Sequence, residues 1–255
     1  MSTCPEAAVP LEVRDVSFSY NGAENVLEHL SLSLNKGELV SVLGVSGCGK
    51  TTLFNVIAGL LKPQSGAVYM NGADITGQTG KVSYMLQKDL LLPYRTIEDN
   101  VALPLLIRGV GKKEARRQAG ERFAAFGLEG TQKKYPHELS GGMRQRAALL
   151  RTYLFSSEVA LLDEPFSALD AITKTELHSW YLGVMREIRL STLFITHDID
   201  EAILLSDRIV LLGGKPGTII SEIAVAEPRE NREDFALSEA FLGYKRSIKG
   251  LLKSL

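Results

Sequence analysis

Residues 44 to 51, "GVSGCGKT", set three glycines, a lysine and a hydroxyl in the spacing G-x-x-x-x-G-K-[ST]. Small residues in series leave backbone N–H groups free to converge on phosphate oxygens, and a helix opening beside them adds its positive end. On this pattern Gly44, Ser46, Gly47, Cys48 and Gly49 form a phosphate cradle with Thr52 next to it. Lys50 reaches the β- and γ-phosphates, and the Thr51 hydroxyl is offered to Mg²⁺. A glycine turn before a helix would account for the glycines and leave the lysine unexplained. By itself the segment fits kinases, GTPases and many ATPases.

Two further groups could act on a bound phosphate. "VALLDEP" (159–165) gives four apolar residues and then Asp163 and Glu164, an acidic pair at the carboxyl end of a buried strand, where open α/β sheets bind ligands. In isolation such a pair is often a solvated turn. Alongside a phosphate loop, Asp163 reads as a Mg²⁺ ligand, direct or through water, and Glu164 as the general base for an attacking water. His197 ends a second apolar run, "LFITH" (193–197), whose end should lie beside Glu164, within reach of a γ-phosphate and the water. Gln87 follows the strand-like "KVSYML" (81–86), at a hinge from which its amide could touch Mg²⁺ or water and report nucleotide state. Tyr20 closes a strand pattern before a glycine-containing loop and could stack on adenine, although a tyrosine there also suits a core edge.

"ELSGGMRQR" (138–146) raises a different question. Ser140 is a strong helix N-cap, Gly141 and Gly142 leave N–H groups uncovered, and Ala147, Ala148, Leu150 and Leu154 give the following helix an apolar face. This is a second anion cradle. As a plain cap it would weaken its helix by ~1 kcal/mol per glycine, a loss that something must compensate.

The elements that must position these residues can be read from periodicity. Residues 11 to 43 alternate as strands, with a turn at Asn21-Gly22, an antiparallel opening. "ELVSVLG" (38–44) is a buried-strand run feeding the glycine loop, and "TTLFNVIAGLL" (51–61) has helical spacing ended by Gly59 and Pro63. Residues 88–156 read as helical stretches with no strand, an inserted lobe between a core of 11–87 and 157–225; 226–255 is a tail with a short amphipathic helix. Strand patterns return at 159–163 and 191–196, flanking a helical pattern around Leu177 to Ile188, and "RIVLLGGKPGTIISEI" (208–223) reads as a hairpin. The expected fold is therefore α/β: a P-loop NTPase core of mixed sheet with an antiparallel N-terminal part, plus an inserted α-helical subdomain.

Composition narrows the partners. The 255 residues carry 29 basic and 30 acidic side chains, so the net charge of −1 gives no electrostatic footprint for nucleic acid. The basic stretch 108–122 is interleaved with Glu114 and Glu121 and reads as a solvated helix face. Two cysteines draw neither a disulfide framework nor a metal site. The start lacks a leader pattern and no apolar run approaches the ~18 residues of a spanning helix, so a soluble chain is expected. "DLLLPYRTIEDNV" (89–101) either packs inside the lobe or presents a groove to a partner.

Together, "GVSGCGKT", Gln87, "LSGGMRQR", "LLDEPFSALD" and His197, in this order, resemble the ATP-binding cassette ATPases of ABC transporters over residues 11 to 223. The resemblance implies cassettes paired head to tail, with Ser140 and Gly142 of one copy donating to the γ-phosphate of the ATP held by the other. The second cradle would then serve the neighbour's nucleotide. It also implies a linking role for Asp170 in "SALD", adenine stacking by Tyr20, and a face near Gln87 for a coupling helix of an integral membrane permease. Met143 departs from the family's usual glutamine and leaves the backbone cradle intact. "LLPYRTIEDNV", "HDIDEAILLSDRIVLL" and "GGKPGTI" are most similar to the nitrate/sulfonate/taurine importer branch, which also includes carriers of thiamine-precursor pyrimidines. The implied protein is an ATP- and Mg²⁺-dependent subunit on the cytoplasmic face of the membrane, served indirectly by an extracytoplasmic substrate-binding protein. A soluble cassette acting on DNA or the ribosome is the alternative; a small-molecule kinase would leave "LSGG" without a purpose.

Overall fold

The computed structural model describes residues 9–155, 158–167, 171–229 and 232–253. The chain opens with strands β1 (Leu11–Phe18) and β2 (Leu27–Leu34), then β3 (Leu39–Gly44), helix α1 (Lys50–Ile57), and strands β4 (Ser65–Met70), β5 (Ala73–Asp74) and β6 (Ser83–Met85). Helices α2 (Ile97–Val101), α3 (Leu103–Ile107), α4 (Lys112–Gly120) and α5 (Gly141–Phe155) follow without a strand. Then come β7 (Val159–Asp163), α6 (Ala171–Ile188), β8 (Ser191–Thr196), α7 (Ile199–Leu205), β9 (Arg208–Gly213), β10 (Thr218–Ala224), α8 (Arg232–Phe235) and α9 (Glu239–Lys253).

Two sheets result. The antiparallel one has the order β2-β1-β4-β5; the six-stranded one, β10-β9-β3-β8-β7-β6, is parallel except for β10 against β9. Strands β3, β7 and β8 are buried along their whole length, because both faces of the larger sheet are covered. The period of two sorts their side chains. Val40, Val42, Val159, Leu161, Leu193 and Ile195 meet Leu53, Phe54, Val56 and Ile57 of α1 and the inner face of the antiparallel sheet. Ala160, Leu162 and Phe194 point the other way, into a cluster with Leu177, Tyr181 and Met185 of α6 and with α2 to α5.

The mixed sheet with an antiparallel part and a helical insertion is as the sequence leads one to expect. The strands β4 and β5 are additions: Gly66, Gly72, Gly77 and Gly80 break the alternation there, and β4 forms by pairing with β1, Val13 opposite Val68. Helix α6 begins at Ala171, earlier than its apolar pattern suggests. The basic stretch is solvated: Arg117 pairs with Glu114, and Arg116 of the same helix donates to Asp99 at 2.8 Å. Leu91 is buried while Leu90 and Tyr94 are exposed, so that segment contributes both to the core and to the surface. Phe241 and Ile248 of α9 pack with Ala202 and Ile203 of α7 and with Ile209 and Leu211 of β9. Among the described residues no helix is long and apolar enough to cross a membrane.

Candidate nucleotide site

Sheet register brings the candidate residues to one edge. Leu43 pairs with Thr196, Asp163 with Ile195, and Met85 with Leu162, so β3, β7, β8 and β6 end side by side. Gly44, Asp163, Glu164, His197 and Gln87 therefore emerge together from chain positions spread over more than a hundred residues.

The phosphate loop runs from the end of β3 to the start of α1. Gly49 caps that helix at φ 99°, a left-handed conformation that glycine adopts without the strain a Cβ adds. Lys50 Nζ donates to the carbonyls of Gly44 (2.8 Å) and Val45 (2.9 Å), which holds the ammonium across the mouth of the loop. Cys48 is buried, and its thiol is pushed up by that burial against the pull of Lys50. It packs as part of the loop floor.

Thr51 Oγ1 donates to Asp163 Oδ2 at 3.3 Å, across the gap between α1 and β7. Burial raises the Asp163 carboxyl, with Glu164 adding to the rise and Thr51 and Lys50 opposing it. A carboxylate desolvated in this way gains from a cation. Thr51 and Asp163 are hard oxygen donors suited to Mg²⁺, an ion usually held by one or two carboxylates plus substrate phosphates. No cluster of three His, Cys, Asp or Glu occurs among the described residues, so a fully protein-built metal cage is not seen there.

Glu164 stands at φ 46°, a conformation L side chains rarely adopt, and its N–H donates to the Ile195 carbonyl at 3.0 Å. The turn is closed by Ser167, whose hydroxyl donates to the Glu164 carbonyl at 3.0 Å. Backbone strain of this kind persists when surrounding contacts over-determine it. Here it aims the carboxylate between two donors: Gln87 Nε2 on Oε2 (3.0 Å) and His197 Nδ1 on Oε1 (3.1 Å). Three of the residues singled out from sequence thus form one hydrogen-bonded unit.

Tyr20 lies two residues beyond β1, 65% exposed, with its ring edge-on to Phe18 and its hydroxyl 3.2 Å from Thr52 Oγ1. It lines a cleft of about 280 Å³ whose other walls are Asn25, Val26, Gly47 and the β9–β10 turn, Gly214 to Gly217. That turn is fixed by two bonds to the antiparallel sheet, Gly217 N–H to the Val26 carbonyl (2.9 Å) and Glu28 N–H to the Gly217 carbonyl (3.1 Å). A Cβ on Gly217 would lie 2.1 Å from the Cys48 carbonyl oxygen, so only glycine lets the turn press this close to the phosphate loop. The role of this turn as a cleft wall is absent from the sequence reading. Its signal was the Gly-Gly-Lys-Pro-Gly cluster, which marks a hairpin and gives no hint of its neighbour.

The second cradle is elsewhere on the chain. Ser140 Oγ accepts from the Met143 N–H at 3.3 Å, a side-chain cap on α5, and the Gly141 and Gly142 N–H groups meet no acceptor among the described residues. Gly142 is buried against Thr173, and Ser140 is exposed. Asp170 lies outside the described residues.

A mixed sheet with a phosphate loop, a strand-end acidic pair and a histidine on one edge defines a nucleotide-hydrolysing cassette. The chain belongs to the ABC transporter family, whose model matches residues 27–167. It is 42% identical over 245 residues to the formylaminopyrimidine import ATP-binding protein ThiZ of Halalkalibacterium halodurans, covering 96% of this chain and 95% of that one. It is 41% identical over 202 residues to the taurine import ATP-binding protein TauB of Escherichia coli O157:H7, covering 79% of each. Among solved structures it resembles a dimeric bacterial ABC transporter cassette, with a TM-score of 0.72 and 29% identity over 86% of this chain and all of that one. These relatives accord with the importer branch that the sequence resembles, and the chain is an ABC-type ATPase.

Proposed function

We propose that this chain is the ATP-hydrolysing subunit of a bacterial-type importer of small solutes of the sulfonate, taurine, nitrate or thiamine-precursor kind, acting from the cytoplasmic face of a membrane permease. The observation that carries the catalytic part is Glu164 held between Gln87 and His197 beside the phosphate loop. The import part rests on the named functions of ThiZ, TauB and the aliphatic sulfonates import ATP-binding protein SsuB of Bacillus cereus, 40% identical over 227 residues.

In this reading the loop amides and Lys50 take the triphosphate, Lys50 exchanging its carbonyl partners for phosphate oxygens. Thr51, Asp163 and Gln87 would hold Mg²⁺, which would supply charge neutralisation on the phosphates. Tyr20 stacks on the adenine. Glu164 takes a proton from the attacking water, and the donors on its two oxygens fix its direction. With Nδ1 donating to Glu164, His197 reaches the γ-phosphate through Nε2 as the imidazolium, the form in which both ring nitrogens donate.

The helix start at Ser140 to Gly142 has N–H groups that meet no acceptor among the described residues. In a head-to-tail pair of copies it closes over the partner copy's nucleotide, with Asp170 linking the two sites. The core of 11–87 and 157–225 and the helical subdomain of 88–156 then act as two parts of one cassette, with 226–255 as a tail, and a separate substrate-binding protein feeds the permease.

The test is ATP-driven pairing measured by light scattering. Ser140→Glu is expected to abolish pairing while the monomer keeps its ATP affinity. Loss of monomer binding would contradict the in-trans role.

A further inference from the structure

The turn that carries His197 is held from beneath by side chains the proposed chemistry does not use. Thr196, buried at the end of β8, accepts the Asp198 N–H on Oγ1 at 3.0 Å and so brackets His197. The same hydroxyl donates to Glu201 Oε2. A hydroxyl has one proton and Glu201 is acceptor-only, so the carboxylate decides which way this group points. Glu201 is 3% exposed, and its other oxygen accepts from His178 Nε2 at 3.1 Å.

A second grip lies one turn away on the same helix. Lys174 Nζ binds Asp198 Oδ2 at 2.7 Å and stands 3.9 Å from Glu201 Oε2, while Asp198 Oδ1 caps α7 through the N–H groups of Asp200 and Glu201. Lys174 and His178 are four residues apart on α6 and face one way. His178 also meets the edge of Phe166, with ring centroids 4.9 Å apart, and Phe166 follows Glu164 by two residues. Helix α6 therefore touches both turns whose side chains meet in the Glu164–His197 bond. His197 itself is exposed along 65% of its side chain and has little packing of its own to orient it.

We propose that Glu201, with His178 and Lys174, is a positioning residue that sets the His197 imidazole against Glu164. The proposal rests on the catalytic reading of His197, and its test separates the two. The chain has four histidines, so the imidazole ¹⁵N spectrum of the full-length protein is assignable by single His→Gln variants. Glu201→Gln is expected to shift the His178 and His197 resonances and leave His29 and His137 in place. Lys174→Met, which keeps the Thr196–Glu201 bond, is expected to shift His197 in the same sense and serves if the Gln variant folds poorly. Movement of His178 alone, with His197 unchanged in both variants, overturns the proposal.

Kinetics supply the second readout. Glu201→Gln should lower kcat about 10-fold or more with KM for ATP changed by less than about twofold, a split expected of lost orientation at the reacting groups. In a His197→Gln background the same substitution should have less than about threefold effect, because residues acting as one unit are not additive. A full loss persisting there overturns the proposal. Near-normal turnover of His197→Gln alone would remove His197 from the chemistry, and the spectrum would still report whether Glu201 orients its ring.

Discussion

Gly217→Ala is a small change with a calculable consequence. The new Cβ would sit 2.1 Å from the Cys48 carbonyl oxygen and 3.2 Å from that of Val26. The first contact is about 1.3 Å short of ordinary van der Waals separation, and both obstacles are backbone, which has no side-chain torsion to turn away. Overpacking of this kind costs about 1–3 kcal/mol, and the lower chain entropy of alanine returns about 0.4–1 kcal/mol. A net loss near 1–2 kcal/mol lowers Tm by roughly 2–8 °C in a chain of this size. The strain relaxes at the phosphate loop or the β9–β10 turn, so the groups facing ATP move by about an ångström, a displacement able to cost on the order of 10²-fold in rate. Thermal melts read the first quantity, and ATP titration with steady-state turnover reads the second. An alanine variant with wild-type Tm and wild-type turnover would refute the role given to the β9–β10 turn as a wall of the nucleotide cleft.

Glu164→Gln should lower ATP turnover by about 10²–10⁴-fold with ATP binding retained, since the proposed base is lost and the phosphate loop is untouched; near-normal turnover would remove Glu164 from that proposed role. Tyr20→Ala should weaken ATP binding about 5- to 150-fold, the equivalent of ~1–3 kcal/mol of stacking, whereas Tyr20→Phe should stay within a few-fold of wild type by titration calorimetry. In Lys174→Met, stability at neutral pH should fall by about 0.5–1 kcal/mol. Burial pushes the Asp198 carboxyl up, but Lys174 and the α7 N–H groups outweigh it and leave the folded value lowered. That contribution is present above the ordinary carboxylate range and is lost as pH falls through the lowered value, so the acid limb of the variant's stability curve should be shallower in urea titrations from neutral to acid pH.

What the chain's letters disclose follows from where the information resides. A phosphate loop is a local device, and "GVSGCGKT" carries its glycine spacing and its lysine in one stretch. The strand-end acids are legible for the same reason, because four apolar residues before Asp163 define both the strand and its exit. Register is non-local: nothing in "KVSYML" says that Gln87 will meet Glu164, and only the pairing of Met85 with Leu162 makes it so. The left-handed turn at Glu164 is invisible in its residue type, since it is imposed by the Ile195 carbonyl. Glu201 and Lys174 carry no signal in their residue types, because burial of a charge is decided by what packs over it. The Gly-rich segment 64–80 hides β4 and β5, which exist through their partner β1.

The central claim, an ATPase that powers import through a membrane partner, is tested most directly by tagging the Glu164→Gln variant and purifying it with ATP from gently solubilised host membranes. Mass spectrometry of the co-purifying proteins gives the readout. The account predicts a permease with several membrane spans, recovered with ATP and lost when Ser140→Glu is added. Recovery only from the soluble fraction, with ribosomal or DNA-repair partners, would contradict transport and leave the nucleotide chemistry standing.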